Sequence, residues 1–149
     1  MKEELIASCG MNCALCSAYL AAKHDVKSRG VRIGYCAGCR PRDKQCAFLK
    51  KRCSLLLNGE VVYCYQCPDY PCENLRHIDK RYSTLYRMSM LDNLELIKQK
   101  DIDELLEREG DKWRCPECGD TICCHNGICF NCGIAKLKDR KKMYRWEDG

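Results

Sequence analysis

Between Cys36 and Cys72 the chain places seven cysteines, at 36, 39, 46, 53, 64, 67 and 72, within 37 residues. Two of the pairs, Cys36/Cys39 and Cys64/Cys67, are CxxC knuckles, tight turns that aim two thiolates at one tetrahedral ion with little backbone strain. Sixteen cysteines in 149 residues is about 11%, above the roughly 8–10% at which cysteine becomes the organising feature of a fold. Without them the 46% hydrophobic content falls to about 35%, a thin supply for a core of this size. Disulfides or metals must make up the difference.

The compartment chooses between the two. The chain opens Met1, Lys2, Glu3, Glu4 and then only Leu5-Ile6-Ala7, with no signal-peptide apolar region. No run approaches the roughly 18 apolar residues of a membrane span. The expectation is a cytoplasmic protein with no membrane partner, whose thiols stay reduced and serve as metal ligands. The formal charge of +5 counts cysteines as neutral. Three zinc ions, each held by four thiolates with a net charge of about −2, would bring the total to about −1. Global charge is therefore no argument for a polyanionic partner.

In chain order, Glu4 to Ala7 reads as a short strand or lead-in to Cys9, Cys13 and Cys16. Ala14 to His24 lacks Gly and Pro and reads as a helix, followed by a basic loop over 25–34. Cys13/Cys16 and Cys36/Cys39 make CxxC, nineteen residues, CxxC, the spacing of a closed four-thiolate zinc site. Asp43 is placed to cap a helix over 44–57, ended by Asn58-Gly59. On that helix Cys46 and Cys53 would stand ~10 Å apart, too far to share one ion. Cys53 is therefore grouped with Cys64, Cys67 and Cys72 as a second site, and Cys46 stays either with the first group or as a buried thiol. Val61 to Tyr63 reads as a strand delivering Cys64, and Pro68 and Pro71 bend the chain around the site.

From Glu73 the pattern turns helical: Leu75, Ile78, Tyr82, Leu85 and Tyr86 form one stripe, and Ser89 begins another helix with Leu91, Leu94 and Ile97. Asp101 with Glu104 resembles a capping box, and Gly110 is expected to close the segment. Then comes WRCPECGDTICCHNGICFNCG, in which Cys115/Cys118 and Cys129/Cys132 form two knuckles ten residues apart, as in a zinc ribbon. Cys123, Cys124 and His125 lie near the hairpin between the knuckles, where a closed site has no vacancy for them. The expected organisation is an α+β fold: a metal-stabilised cysteine-rich domain with short helices over 1–78, a helical segment over 79–112, a zinc ribbon over 113–135 and a basic tail over 136–149.

The order CGMNCALCSAYLA, CAGCR, YCYQCPDYPC resembles a family of uncharacterised cysteine-rich proteins of anaerobic bacteria and archaea, a domain of unknown function taken to bind zinc. The likeness covers roughly residues 5–78, with the helical stretch and ribbon as an extension. It implies a metalloprotein without assigned activity and supports ligation at Cys9, Cys13, Cys16, Cys36, Cys39, Cys53, Cys64, Cys67 and Cys72. The spacing of seven between Cys46 and Cys53 departs from the family pattern.

Sharper chemistry finds less support. Cys9, Cys13 and Cys16 have the CxxxCxxC spacing of radical-SAM enzymes, but only 133 residues follow Cys16, too few for the usual partial barrel. A closed iron–sulfur cluster for electron transfer is the main alternative, since cysteine-only ligation does not separate iron from zinc. His24, His77 and His125 stand in no hydrolase motif. The tail carries Lys136, Lys138, Arg140, Lys141, Lys142 and Arg145 against Asp139, with Tyr144 and Trp146 interleaved, a pattern able to contact phosphates and stack on bases. The reading is a structural zinc protein with about three zinc ions per chain, acting as a binding or adaptor module for a protein partner and with no catalytic residue assigned; an iron–sulfur redox role and nucleic-acid binding are the alternatives.

Overall fold

Asn58, Gly59 and a dense series of CxxC turns leave only short helices before residue 73, and the three longest helices follow it. The computed structural model describes residues 1–43 and 53–147. Among them are six α-helices: α1 Ser17–Lys23, α2 Ser54–Leu57, α3 Glu73–Leu85, α4 Met90–Gln99, α5 Ile102–Lys112 and α6 Ile134–Asp139. Four 3-10 turns, Glu3–Leu5, Cys13–Leu15, Val26–Arg29 and Cys64–Gln66, fill in the N-terminal half. No helix among the described residues is long and apolar enough to cross a membrane.

The α+β expectation is corrected here, because the fold is mostly helical. Pairing among the described residues is limited to isolated antiparallel bridges at Ile6–Asn12, Arg114–Thr121 and Ile122–Cys129. The reason is visible at Val61 to Tyr63, read above as a strand. The N–H groups of Val62 and Tyr63 both donate to Gln66 Oε1, at 2.8 and 3.1 Å, and the Cys64 N–H donates to the Ser8 carbonyl at 2.9 Å. A knuckle that satisfies its own backbone in this way leaves no ladder for a neighbouring strand.

Helix starts follow their caps. The Ser89 hydroxyl accepts from the Asp92 N–H at 3.1 Å and opens α4. Asp101 Oδ1 accepts from the Glu104 N–H at 2.8 Å and opens α5. Each satisfies a donor the helix cannot. Gly110 does not end α5, as the sequence suggested; the helix runs on to Lys112, and its next residue, Trp113, is buried. The expected single helix from Ala14 is broken instead. Asn12 Oδ1 accepts from the Ala14 N–H at 3.1 Å to cap the Cys13–Leu15 turn, Cys16 is extended, and α1 starts at Ser17. Of the helix expected over 44–57, α2 is the described part, while Cys46 lies outside the described residues.

Two apolar cores hold these elements. One joins Leu5, Ile6, Met11 and Leu15 to Leu75, Met90, Leu94, Leu105 and Trp113. The other joins Leu20, Val26, Val31 and Ile33 to Ile128, Phe130 and Leu137. Both cross the boundaries drawn in the sequence at 78 and 112. The first is tightly packed at Gly10, which has φ +90°, where an added Cβ would stand 2.6 Å from the Met90 carbonyl oxygen. Asn93 Nδ2 donates to the Gly10 carbonyl at 2.8 Å across the same contact. Gly10→Ala should therefore cost at least about 2 kcal/mol in denaturant titration, from left-handed strain and a backbone clash. Gly59→Ala, at φ +71° with open space around it, should cost about 1 kcal/mol.

Candidate metal centre

Two knuckles facing each other across a short hairpin build the C-terminal site. In the first, the Gly119 N–H donates to the Cys115 carbonyl at 2.9 Å, and in the second the Gly133 N–H donates to the Cys129 carbonyl at 2.8 Å. Between them the Ile122 N–H donates to Trp113 O at 2.8 Å and the Cys123 N–H to Ile128 O at 3.0 Å, setting the register of the hairpin. The result is four thiols in a tight group. Cys115 and Cys132 Sγ are 3.6 Å apart, Cys118 and Cys129 Sγ 3.5 Å, and all four lie within 4.8 Å of one another. A tetrahedral ion with bonds near 2.3 Å requires edges of ~3.8 Å. The group fits one such ion.

Burial divides the four. Cys115 and Cys129 are buried, and Cys118 and Cys132 are exposed. The Asp120 backbone and then the Asn131 side chain donate to Cys118, lowering its thiol to about 7, whereas hydrogen bonding to Cys115 and Cys118 holds Cys132 up at about 12.

The nine N-terminal candidates are arranged differently. The second knuckle lies alongside the first turn: the Cys39 N–H reaches Cys13 Sγ at 3.5 Å, the Cys36 N–H donates to Ala18 O at 3.1 Å, and Arg42 Nη1 donates to Cys36 Sγ at 3.1 Å. Cys53, Cys64, Cys67 and Cys72 line a single cavity of about 240 Å³. Burial, followed by the neighbouring thiols of Cys9, Cys72, Cys53 and Cys67, pushes the Cys64 thiol far up. Cys9 thus neighbours the second group, although its sequence spacing tied it to Cys13 and Cys16. Cys16 in turn adjoins Cys123 and Cys124. Among the described residues, the Cys115 group is the one set of three or more ligand atoms all within 4.8 Å.

Cys123 and Cys124 are fully buried, and desolvation raises Cys123 to about 12 and also holds Cys124 well above the usual thiol range. They are packing thiols, and their backbone does the joining: the Cys124 N–H donates to Leu15 O at 2.9 Å. Beside them the Ser17 N–H donates to His125 Nδ1 at 3.2 Å, which leaves the ring proton on Nε2, facing the Tyr82 hydroxyl at 3.3 Å. Tyr82, Tyr86 and Tyr144 surround the imidazole edge-on. The only sequence signal for this cage was the tyrosine stripe on α3.

The tail also returns to the fold. Trp146 Nε1 donates to Cys124 O at 2.8 Å and Arg87 lies 3.8 Å over its ring. Gly127, at φ +74°, makes room for it, since a Cβ there would stand 2.5 Å from the indole.

Fold and site together define a helical, cysteine-rich protein with a four-thiol centre able to hold a metal ion. Residues 5–77 match the profile of a family described as a protein of unknown function (DUF3795), a stretch that ends before the four-thiol centre. No curated protein and no solved structure matches the chain.

Burial lowers the His125 pKa from 6.5 to about 4. Because the folded value is depressed, the associated stability is present above pH 6.5 and is lost as pH falls toward 4, when the unfolded chain binds the proton first. His125→Asn keeps an acceptor for Ser17 and removes the titration. Urea titrations at pH 7 and pH 5 should show the wild type losing about 2 kcal/mol more than the variant.

Proposed function

We propose that the chain is a structural zinc protein acting as a binding or adaptor module. The reading is carried by the Cys115, Cys118, Cys129 and Cys132 thiols, all within 4.8 Å of one another. Four thiolates close a tetrahedral ion and leave no position for water or substrate, which is the difference between a structural and a catalytic zinc. Soft sulfur donors suit zinc, and edges of 3.5 and 3.6 Å suit a single ion. Replacing both Cys118 and Cys132 by Ser should remove about one zinc per chain and lower the melting temperature by on the order of 10 °C. An unchanged zinc content and melting transition would show that the centre holds no metal.

The contact surface of the module is its basic segment. Lys136, Lys138, Lys141, Lys142 and Arg145 are exposed, while Arg140 is turned inward, to Glu147 at 3.0 Å and the Arg145 carbonyl at 2.7 Å. Five cations on one short segment suit an acidic protein surface. Nucleic acid is the second reading, chiefly through phosphates, because the Trp146 ring packs under Arg87 and only Tyr144 of the two tail aromatics is exposed. Titration with random-sequence DNA or RNA separates the two. Binding in low salt that weakens steeply with added salt, and is lost when the five residues become Ala, favours nucleic acid. No binding in low salt eliminates it.

A further inference from the structure

The Cys53, Cys64, Cys67 and Cys72 cavity differs from the C-terminal centre in shape. Cys53 directly precedes α2, Cys64 opens the Cys64–Gln66 turn, Cys67 follows that turn with its N–H on the Cys64 carbonyl at 3.1 Å, and Cys72 directly precedes α3. Three separate local units therefore bring four thiols to one cavity of about 240 Å³, walled by Leu55, Leu56, Val61 and Leu75. At Cys115, Cys118, Cys129 and Cys132 the thiols meet at 3.5–3.6 Å, as the ~3.8 Å edge of one tetrahedral zinc demands. Around the cavity no three sulfurs close to within 4.8 Å of one another. One chain thus presents four cysteines in two ways, once closed on a point and once spread around a volume.

A single zinc cannot bridge sulfurs that stand around a cavity of this size, because its bonds are fixed near 2.3 Å. An iron–sulfur cluster can, since it places iron and sulfide between its thiolates and takes four cysteines as a closed set. Leu55, Leu56, Val61 and Leu75 shield such a group on their side, and Ser54, Asp69, Tyr70 and Asn74 complete the lining. We propose that Cys53, Cys64, Cys67 and Cys72 hold an iron–sulfur cluster of the four-iron type instead of a single zinc ion. Cys9, buried beside Cys64, is a fifth thiol next to this site. The inference is independent of zinc at the C-terminal centre.

The test is anaerobic reconstitution of the full chain with ferric iron, sulfide and a thiol reductant that supplies the two electrons the four-iron core needs. Iron, acid-labile sulfide and zinc are counted, and absorption and dithionite-reduced EPR spectra are recorded. The expected result is about four iron and four sulfide per chain with absorption near ~400 nm. Both should be lost in Cys67→Ser and Cys72→Ser and kept in Cys118→Ser. The zinc retained at the C-terminal centre reports that the Ser variants are folded. Cys67→His, which keeps a ligand, should retain iron and shift the EPR signal, so the assignment stands on a spectrum even if the Ser variants collapse. The proposal is overturned if the wild type takes up no sulfide, if its zinc falls by one ion in Cys67→Ser, or if the cluster spectrum is unchanged in Cys67→His. Loss of zinc in Cys118→Ser is read separately and bears on the C-terminal centre alone.

Discussion

The Cys124 N–H to the Leu15 carbonyl, at 2.9 Å, and the Ser17 N–H to His125 Nδ1, at 3.2 Å, join residues more than a hundred positions apart. They sit on either side of Cys16, where the first knuckle passes into α1. Both donors belong to chain that is entering or leaving regular structure, so neither would otherwise be satisfied by a helix ladder. Because these bonds are buried, the C-terminal hairpin has to seat on the N-terminal turns for either segment to be dry. The second apolar core, Leu20 and Val26 against Ile128 and Phe130, then closes behind them.

Desolvation sorts the cysteines by role. Cys118 is exposed and its thiol is lowered by backbone and Asn131 donors, while Cys123 and Cys124, a few residues on, are held neutral by burial. Adjacent residues in one hairpin therefore carry opposite chemistry. The same effect keeps His125 uncharged inside its tyrosine cage, where a protonated ring would lack a carboxylate to pair with. Of the four thiols able to hold a metal ion, Cys118 and Cys132 are exposed, whereas the packing thiols Cys123 and Cys124 are fully buried.

Burial of the tail follows from that arrangement. The Cys124 carbonyl needs a donor, and the Trp146 indole supplies one while covering Gly127 and stacking under Arg87. Asn126 Nδ2 holds the Met143 carbonyl at 3.0 Å on the way. What read as an interleaved basic and aromatic tail is divided by the fold into an inward indole and outward cations. No local pattern marks that division, because Trp146 and Tyr144 look alike along the chain.

The knuckles, the caps at Ser89 and Asp101 and the stripes of α3 to α5 were readable from residues alone, because each is set by contacts within a few positions. The ten-residue spacing between Cys118 and Cys129 likewise announced the four-thiol group, since a hairpin that short can bring its two ends together in few ways. The chain did not reveal that Val61 to Tyr63 would turn its donors onto Gln66 instead of a strand, that α5 would run past Gly110 toward a buried Trp113, or that Cys9 would lie beside Cys64. Those outcomes depend on which distant group reaches a donor, a thiol or an apolar face first. Sequence determined that this is a cysteine-organised protein and where α3, α4 and α5 begin. Tertiary structure decided which thiols meet, which are buried and which side of the tail faces water, because burial and long-range hydrogen bonds are properties of the packed whole.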